Sequence, residues 1–320
     1  MSAGPAQCER CHSRLEEEDL RCPVCALPTP RPSRSAERER ARVVRCGTCG
    51  AAIAYSVEAQ APKCAFCASE MHTETQQDPI DQAHRFLPFS VNPEQARDAL
   101  TSFLGQGGFF RPKDLESLAV LDSLRPLWWP GWEFDAQVEA TWTADTDAGS
   151  RQSDWAPHSG HMQLVLHNIL VSASRGLKVE ETTALSPHYD ISRADPEPVG
   201  PPGAQVELFD VTRSGARQQV LSAVENLARQ HITQGALPGR RHRNLRVAVA
   251  LSGLDTTHYA LPAYVLAYRY GKTLYRVVVH GQDASRVLGQ KPVSWAKVAV
   301  TVLVALALLV ILFLIISGSH

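Results

Sequence analysis

Eight cysteines lie between residues 8 and 67 of a 320-residue chain, none lies elsewhere, and each belongs to a C-x-x-C pair. The first two pairs are CERC and CPVC, which place Cys8, Cys11, Cys22 and Cys25 in one unit with ten residues between the pairs. CGTC and CAFC then place Cys46, Cys49, Cys64 and Cys67 in a second unit with a gap of fourteen. Two residues between paired cysteines let one tight turn aim both sulfurs at a single ion, and four thiolates form the closed tetrahedral set that suits structural zinc. The spacing predicts two zinc ions per chain. Redox chemistry at a C-x-x-C needs a strand-to-helix setting, which four tandem pairs do not offer. Serial ligation is preferred over a cross-braced arrangement because residues 26–45 carry three prolines and six arginines, a composition that separates units. His12 adjoins Cys11, but four thiolates complete the site without it, and an exposed position is expected.

Other residues that could do chemistry do not assemble into a recognisable set. Gly271, Lys272 and Thr273 spell the end of a phosphate loop, yet the glycine such a loop needs five residues earlier is Leu266. His158, His161 and His167 lack a carboxylate at local spacing that would complete a metal site. Glu133, Asp135 and Glu139 alternate along a strand pattern, as solvated carboxylates do. There is no G-x-S-x-G and no H-E-x-x-H motif. No catalytic residue and no cofactor other than zinc is predicted, and an enzyme is not expected.

The elements that position the cysteines are short. Residues 51–57 alternate as one strand of a ribbon hairpin, and Gly50 follows a knuckle where an unusual backbone angle is expected. The predicted organisation is a first zinc ribbon at 1–28, a basic linker at 29–43, a second ribbon at 44–70, a linker at 71–85, an α+β domain at 86–296 and a transmembrane helix at 297–317. In the body, Asn92, Pro93 and Gln95 form a helix start that runs to about Leu104. A short helix is expected at 113–124 and another at 216–232, where Val220, Ala223, Val224, Leu227 and Ala228 share a face. Phe134, Ala136, Val138, Ala140 and Trp142 alternate with polar residues and predict a long half-buried strand. Further strands are expected from His161, over 245–251, and in a hairpin turning at Gly271 and Lys272.

Residues 298–316 contain no charge and only one polar side chain, Thr301. As a helix they would extend about 28 Å, close to the ~30 Å hydrocarbon core of a bilayer. With Arg286, Lys291 and Lys297 before this stretch, the expected arrangement is a single pass through the cell inner membrane with the N-terminal body in the cytoplasm. The start of the chain, MSAGPAQCERC, lacks the pattern of a secretory signal and agrees with that expectation. The formal net charge of −1 supplies no overall field for nucleic acid.

The second ribbon, the stretch LWWPGWEFDAQVEATW, the phrase NILVSASRGL and the run YALPAYVLAYRYGKTLYRVVVHGQDASRVLGQKPVSW resemble a family of bacterial membrane-anchored zinc-ribbon proteins. Its members are often labelled TFIIB-type zinc ribbon or primosomal-helicase-like. The resemblance covers roughly residues 44–297. It differs from the family's N-G-Q-T-G turn by having His280 in place of Asn, and Asp283 and Ala284 in place of Thr and Gly. The resemblance implies the architecture but no settled activity. The expected function is a zinc-ribbon binding or scaffold protein that presents its body to protein partners at the lipid bilayer. The alternative is a membrane-tethered nucleic-acid-binding protein using the ribbons and the basic linker. EEED at 16–19 and the scarcity of stacking aromatics favour the first, while Arg240, Arg241, His242 and Arg243 favour the second.

Overall fold

A computed structural model describes residues 7–15, 19, 21–22, 24–25, 27–29, 41–54, 63–76, 81–105, 124–148, 155–211, 213–270, 273–290 and 294–318. The described residues are mostly sheet with few helices, which corrects the α+β expectation. Strands β1 (Ala41–Cys46), β2 (Ala52–Ala54) and β3 (Met71–Gln76) form a three-stranded antiparallel sheet in the order β2-β1-β3. Residues 71–76, read from sequence as the start of a linker, are thus its third strand.

The larger sheet has seven strands. Its path is β10-β9-β8-β5-β6, built from β5 (Arg125–Thr146), β6 (Ala156–Ser172), β8 (His242–Tyr270), β9 (Thr273–His280) and β10 (Val287–Gly289). Two short strands, β4 (Arg85–Phe86) and β7 (Gln205–Val206), pair in parallel with β8 and β5. The sequence splits β8 into a strand and half a hairpin, but the structure runs it through unbroken, pairing with β5 from Arg125↔Val265 to Thr146↔His242. The polar stretch around Asp255, which lies between those two expected strands, is a strand segment beside a bulge at Gln137/Val138.

The α1 helix (Pro93–Gly105) begins as predicted: Asn92 N donates to Gln95 Oε1 at 2.9 Å, and Gln95 N donates to Asn92 Oδ1 at 2.8 Å. Reciprocal capping of this kind satisfies two donors that a helix start leaves free. Asn92→Ala should therefore destabilise the protein by about 1 kcal/mol, read from the urea midpoint at unchanged slope. The α2 helix (Val179–Leu185) is a short turn followed by two 3₁₀ segments. The α3 helix (Arg213–His231) continues into a π-turn at Ile232–Ala236 and buries Ala216, Val220, Val224 and Ala228. The helix expected at 113–124 falls outside the described residues, apart from Leu124.

Period-two alternation sends the two faces of β5 to different cores. Trp132, Phe134, Ala136 and Val138 pack under α3, while Ala96, Leu100 and Leu104 of α1 cover Tyr264, Leu266, Val277 and Val279. Leu127 and Trp129 face the other way, into a core shared with the cysteine-bearing sheet, Leu185 and Tyr189. Buried indole donors find partners: Trp129 Nε1 donates to Tyr189 Oη at 3.0 Å, and that hydroxyl donates to the Pro262 carbonyl at 2.9 Å.

The C-terminal helix α4 (Trp295–Gly318) forms over the apolar run. Of its side chains, those of residues 297–306, 308 and 309 are described. Among the described residues no helix is long and apolar enough to cross a membrane. The predicted transmembrane helix is accordingly not a feature of the described architecture.

Candidate metal centres

Each of the four C-x-x-C turns closes in the same way. The amide of the first cysteine donates to the carbonyl five residues on: Cys8 to Ser13 at 2.9 Å, Cys22 to Leu27 at 2.8 Å, Cys46 to Ala51 at 2.9 Å and Cys64 to Ser69 at 2.8 Å. Bridge pairs Gln7↔Arg14, Arg21↔Pro28, Arg45↔Ala52 and Lys63↔Glu70 then hold the flanks of each turn. The residue after the second cysteine takes a left-handed backbone at His12 (φ 57°), Gly50 (φ 79°) and Ala68 (φ 55°). Gly50 was expected there, whereas His12 and Ala68 adopt the same angle against the ordinary preference of L-residues. Repetition of one strained turn at non-glycine positions is what a demand to aim two sulfurs at one point produces.

The eight thiols gather into two groups, Cys8, Cys11, Cys22 and Cys25, and Cys46, Cys49, Cys64 and Cys67, with the sulfurs of each group within 4.8 Å of one another. Ligation is therefore serial. Shortest approaches are 3.5 Å for Cys8–Cys25, 3.4 Å for Cys11–Cys22, 3.4 Å for Cys46–Cys67 and 3.6 Å for Cys49–Cys64. A tetrahedron with Zn–S bonds of about 2.3 Å has sulfur edges of about 3.8 Å, so both sets fit one zinc ion each, two per chain. The thiols of each group also shift one another's acidity in both directions. The Ser13 hydroxyl beside Cys11 lowers its thiol to about 6, and the hydrogen bond to Cys64 lowers Cys49 to about 5. Burial pushes Cys22 up to about 12, and the neighbouring Cys49 raises Cys64. Four adjacent thiolates need a compensating cation, and Zn²⁺ supplies it.

The two centres differ in setting. Cys46, Cys64 and Cys67 belong to the same buried core as Trp129, Leu261 and Val278. The second ribbon also hydrogen-bonds to the large sheet's flank: Leu208 N donates to Ala52 O at 2.9 Å, and Arg175 Nε donates to Cys49 O at 3.3 Å. Behind that contact sits Glu207, wholly buried and missed by sequence reasoning. Its carboxylate accepts from Ser174 Oγ at 2.6 Å, Arg175 N at 3.0 Å and Gly176 N at 2.7 Å, while burial pushes it up to about 7. By contrast, Cys11 and Cys25 of the first ribbon are half-buried. That ribbon is held through Val24, which packs against the α3 core, and through Asp19, which pairs with Arg217 at 3.0 Å. His12 is exposed, as expected.

The sequence's other candidates scatter. His158 turns to Thr146 Oγ1 at 3.1 Å, His161 is exposed on β6, and His167 lies 3.2 Å from Asp135 Oδ1. Gly271 and Lys272 lie outside the described residues, and Thr273 opens β9 opposite Tyr270 in a hairpin. His280 is buried, and its Nδ1 accepts from Gln282 N at 3.0 Å and Asp283 N at 3.1 Å, so a ring nitrogen closes the turn by accepting the two backbone N–H groups that follow it. Glu133 is not the solvated carboxylate its alternation suggests. It is 6% exposed, and burial, followed by the charge of Asp135, pushes it up to about 7 from an ordinary 4.5. Between those values the folded chain binds the extra proton, so this group's stabilisation is complete below about 4.5 and is lost as pH rises through about 7.

No family model, curated protein or solved structure matches the chain. The chain is a zinc-binding protein on the chemistry of its two four-cysteine groups.

Proposed function

We propose that this zinc-binding chain is a protein-binding module of a reducing compartment, where its eight thiols remain available to metal. The observation that carries this reading over nucleic-acid binding is the state of the body's basic cluster. Asp147 accepts from the backbone N–H groups of Arg240 and Arg241 at 2.7 and 3.0 Å, and its carboxylate meets Arg241 Nε at 3.1 Å. Asp145 pairs with Arg243 at 3.5 Å, and both guanidinium groups lie over the Trp155 ring. Cations matched by their own carboxylates and spread on an indole offer a phosphate backbone little net attraction. Near the first ribbon, the solvent face of β6 instead presents Val165, 62% exposed, opposite Gln137 and ringed by polar and charged side chains of both signs, among them Arg14, Asp135 and Asp255. This composition suits a protein contact.

The test uses the full zinc-loaded chain. Retention of a protein partner that survives nuclease and is lost on Val165→Asp, with zinc content and tryptophan fluorescence unchanged, supports the proposal. Submicromolar binding to DNA or RNA at about 150 mM salt, abolished when Arg38, Arg40 and Arg42 become Ala, overturns it.

A further inference from the structure

The register of β5 against β6 shifts between Phe134 and Ala136, so that His167 and Asn168 together oppose the single residue Asp135. Asn168 takes a left-handed backbone at φ 57°, the mark of a bulge held in place rather than of a frayed pair. Asp135 does the holding. Its Oδ1 accepts from Asn168 N at 3.0 Å and from His167 Nδ1 at 3.2 Å. Two residues back, on the same face of β5, lies buried Glu133, and above them opens a cleft of about 550 Å³ between the first ribbon and the sheet. The cleft is lined by Cys11, His12 and Arg14 on the ribbon side and by Asp135, His167 and Asp255 on the sheet side.

We propose that Glu133 and Asp135 form a proton-operated latch that holds the β6 bulge, and with it the floor of this cleft, in place while Glu133 carries its proton. Protonated Glu133 tolerates the Asp135 carboxylate beside it. Once ionised, it sets two like charges side by side with one of them almost fully buried, and the exposed member, Asp135, is the one free to swing away. Moving Asp135 releases both bulge contacts at once. The groups that face the pair are Thr257 and Tyr259 of β8, Asn168 N and His167 of β6, and Asp255, the register partner of Asp135. Arg85 of β4 faces the Tyr259 hydroxyl. Asp255 adds to the repulsion, so the surroundings reinforce the switch. Burial, which holds Glu133 near 7, places the switch at neutral pH.

Hydrogen–deuterium exchange of the full zinc-loaded chain at pH 6 and pH 8, corrected for intrinsic rates, tests the latch. Protection in peptides covering 133–138 and 164–170 should fall about tenfold at pH 8, with α3 peptides unchanged. Glu133→Gln, which cannot ionise, should keep its protection at both values. Should that variant fail to retain two zinc ions, Asp135→Asn serves instead: lacking the second charge, it too should show no pH-dependent loss. Equal protection at both pH values in the unmodified chain overturns the proposal, as does a tenfold fall that persists in the variants.

Discussion

Cys64→Ser is expected to abolish the tertiary structure of the whole body, whereas Cys11→Ser should cost one zinc ion and leave the body folded. Both substitutions break a four-thiolate set, but only the second centre is built into the main core. Cys64 is 2% exposed and shares its cluster with Trp129, Leu261 and Val278. A structural zinc site contributes about 10 to 16 kcal/mol in small peptides, which equals or exceeds the net stability of about 5 to 15 kcal/mol typical of a domain. Losing it would also strip one wall from Trp129. The first centre touches the body through Val24 and the buried Asp19–Arg217 pair, but none of its cysteines belongs to a core cluster of the body's described residues. Zinc analysis together with near-ultraviolet circular dichroism separates the outcomes. A Cys64→Ser protein with one zinc and an unchanged tryptophan signal would refute the shared-core argument.

Glu207→Ala should lower stability by about 3 to 6 kcal/mol, the largest loss expected from a residue that touches no metal. The carboxylate is fully buried and satisfies the Ser174 hydroxyl and the amides of Arg175 and Gly176. Removing it orphans three donors, each costing about 1 to 3 kcal/mol when buried without a partner. The loop they belong to is the one that meets the second ribbon, with Arg175 on Cys49 and Gly176 under the Phe66 ring. Glu207→Gln keeps an acceptor oxygen and should lose far less. Urea unfolding of the two variants decides the matter, and a Glu207→Ala loss under about 1 kcal/mol would show that water or backbone shifts replace the carboxylate.

What could be read from the sequence was what depends on neighbours in sequence. Cysteine pairs two apart specify a turn and a metal by themselves, and the Asn92–Gln95 capping box acts within one helical turn. Alternation at 134–142 likewise revealed its strand. Reading failed where an outcome depends on distant partners. Strand β8 reads as two pieces because the apolar alternation lapses after Leu251, but cross-strand pairing of Gly253 with Gln137 and of Asp255 with Asp135 carries the strand through. The α+β expectation rested on strands interspersed with helices without a regular βαβ alternation, and the long pairing of β5 with β8 is what tips the described residues towards sheet. Glu133 alternates like a solvated residue, but β6 and β8 flank it on both sides and bring Thr257 and Tyr259 alongside, which no local pattern announces. No local pattern distinguishes Glu207 from any other glutamate, since its partners arrive from residues 174–176.

The length of the β5–β8 ladder bears on how the chain acquires its shape. Its paired residues, from Arg125↔Val265 to Thr146↔His242, are separated by about a hundred residues or more, and such contacts form slowly because much loop entropy is lost before they contribute. Until they form, the edges of β5 are open to other chains. The second ribbon closes within residues 46–67 and emerges from the ribosome before either strand. Once metallated, it offers Ile53 and Phe66 as a ready apolar platform on which Trp129 and Leu261 can settle in register. Metal supply would then act on the nascent chain, setting the yield of folding against aggregation more than the lifetime of finished molecules.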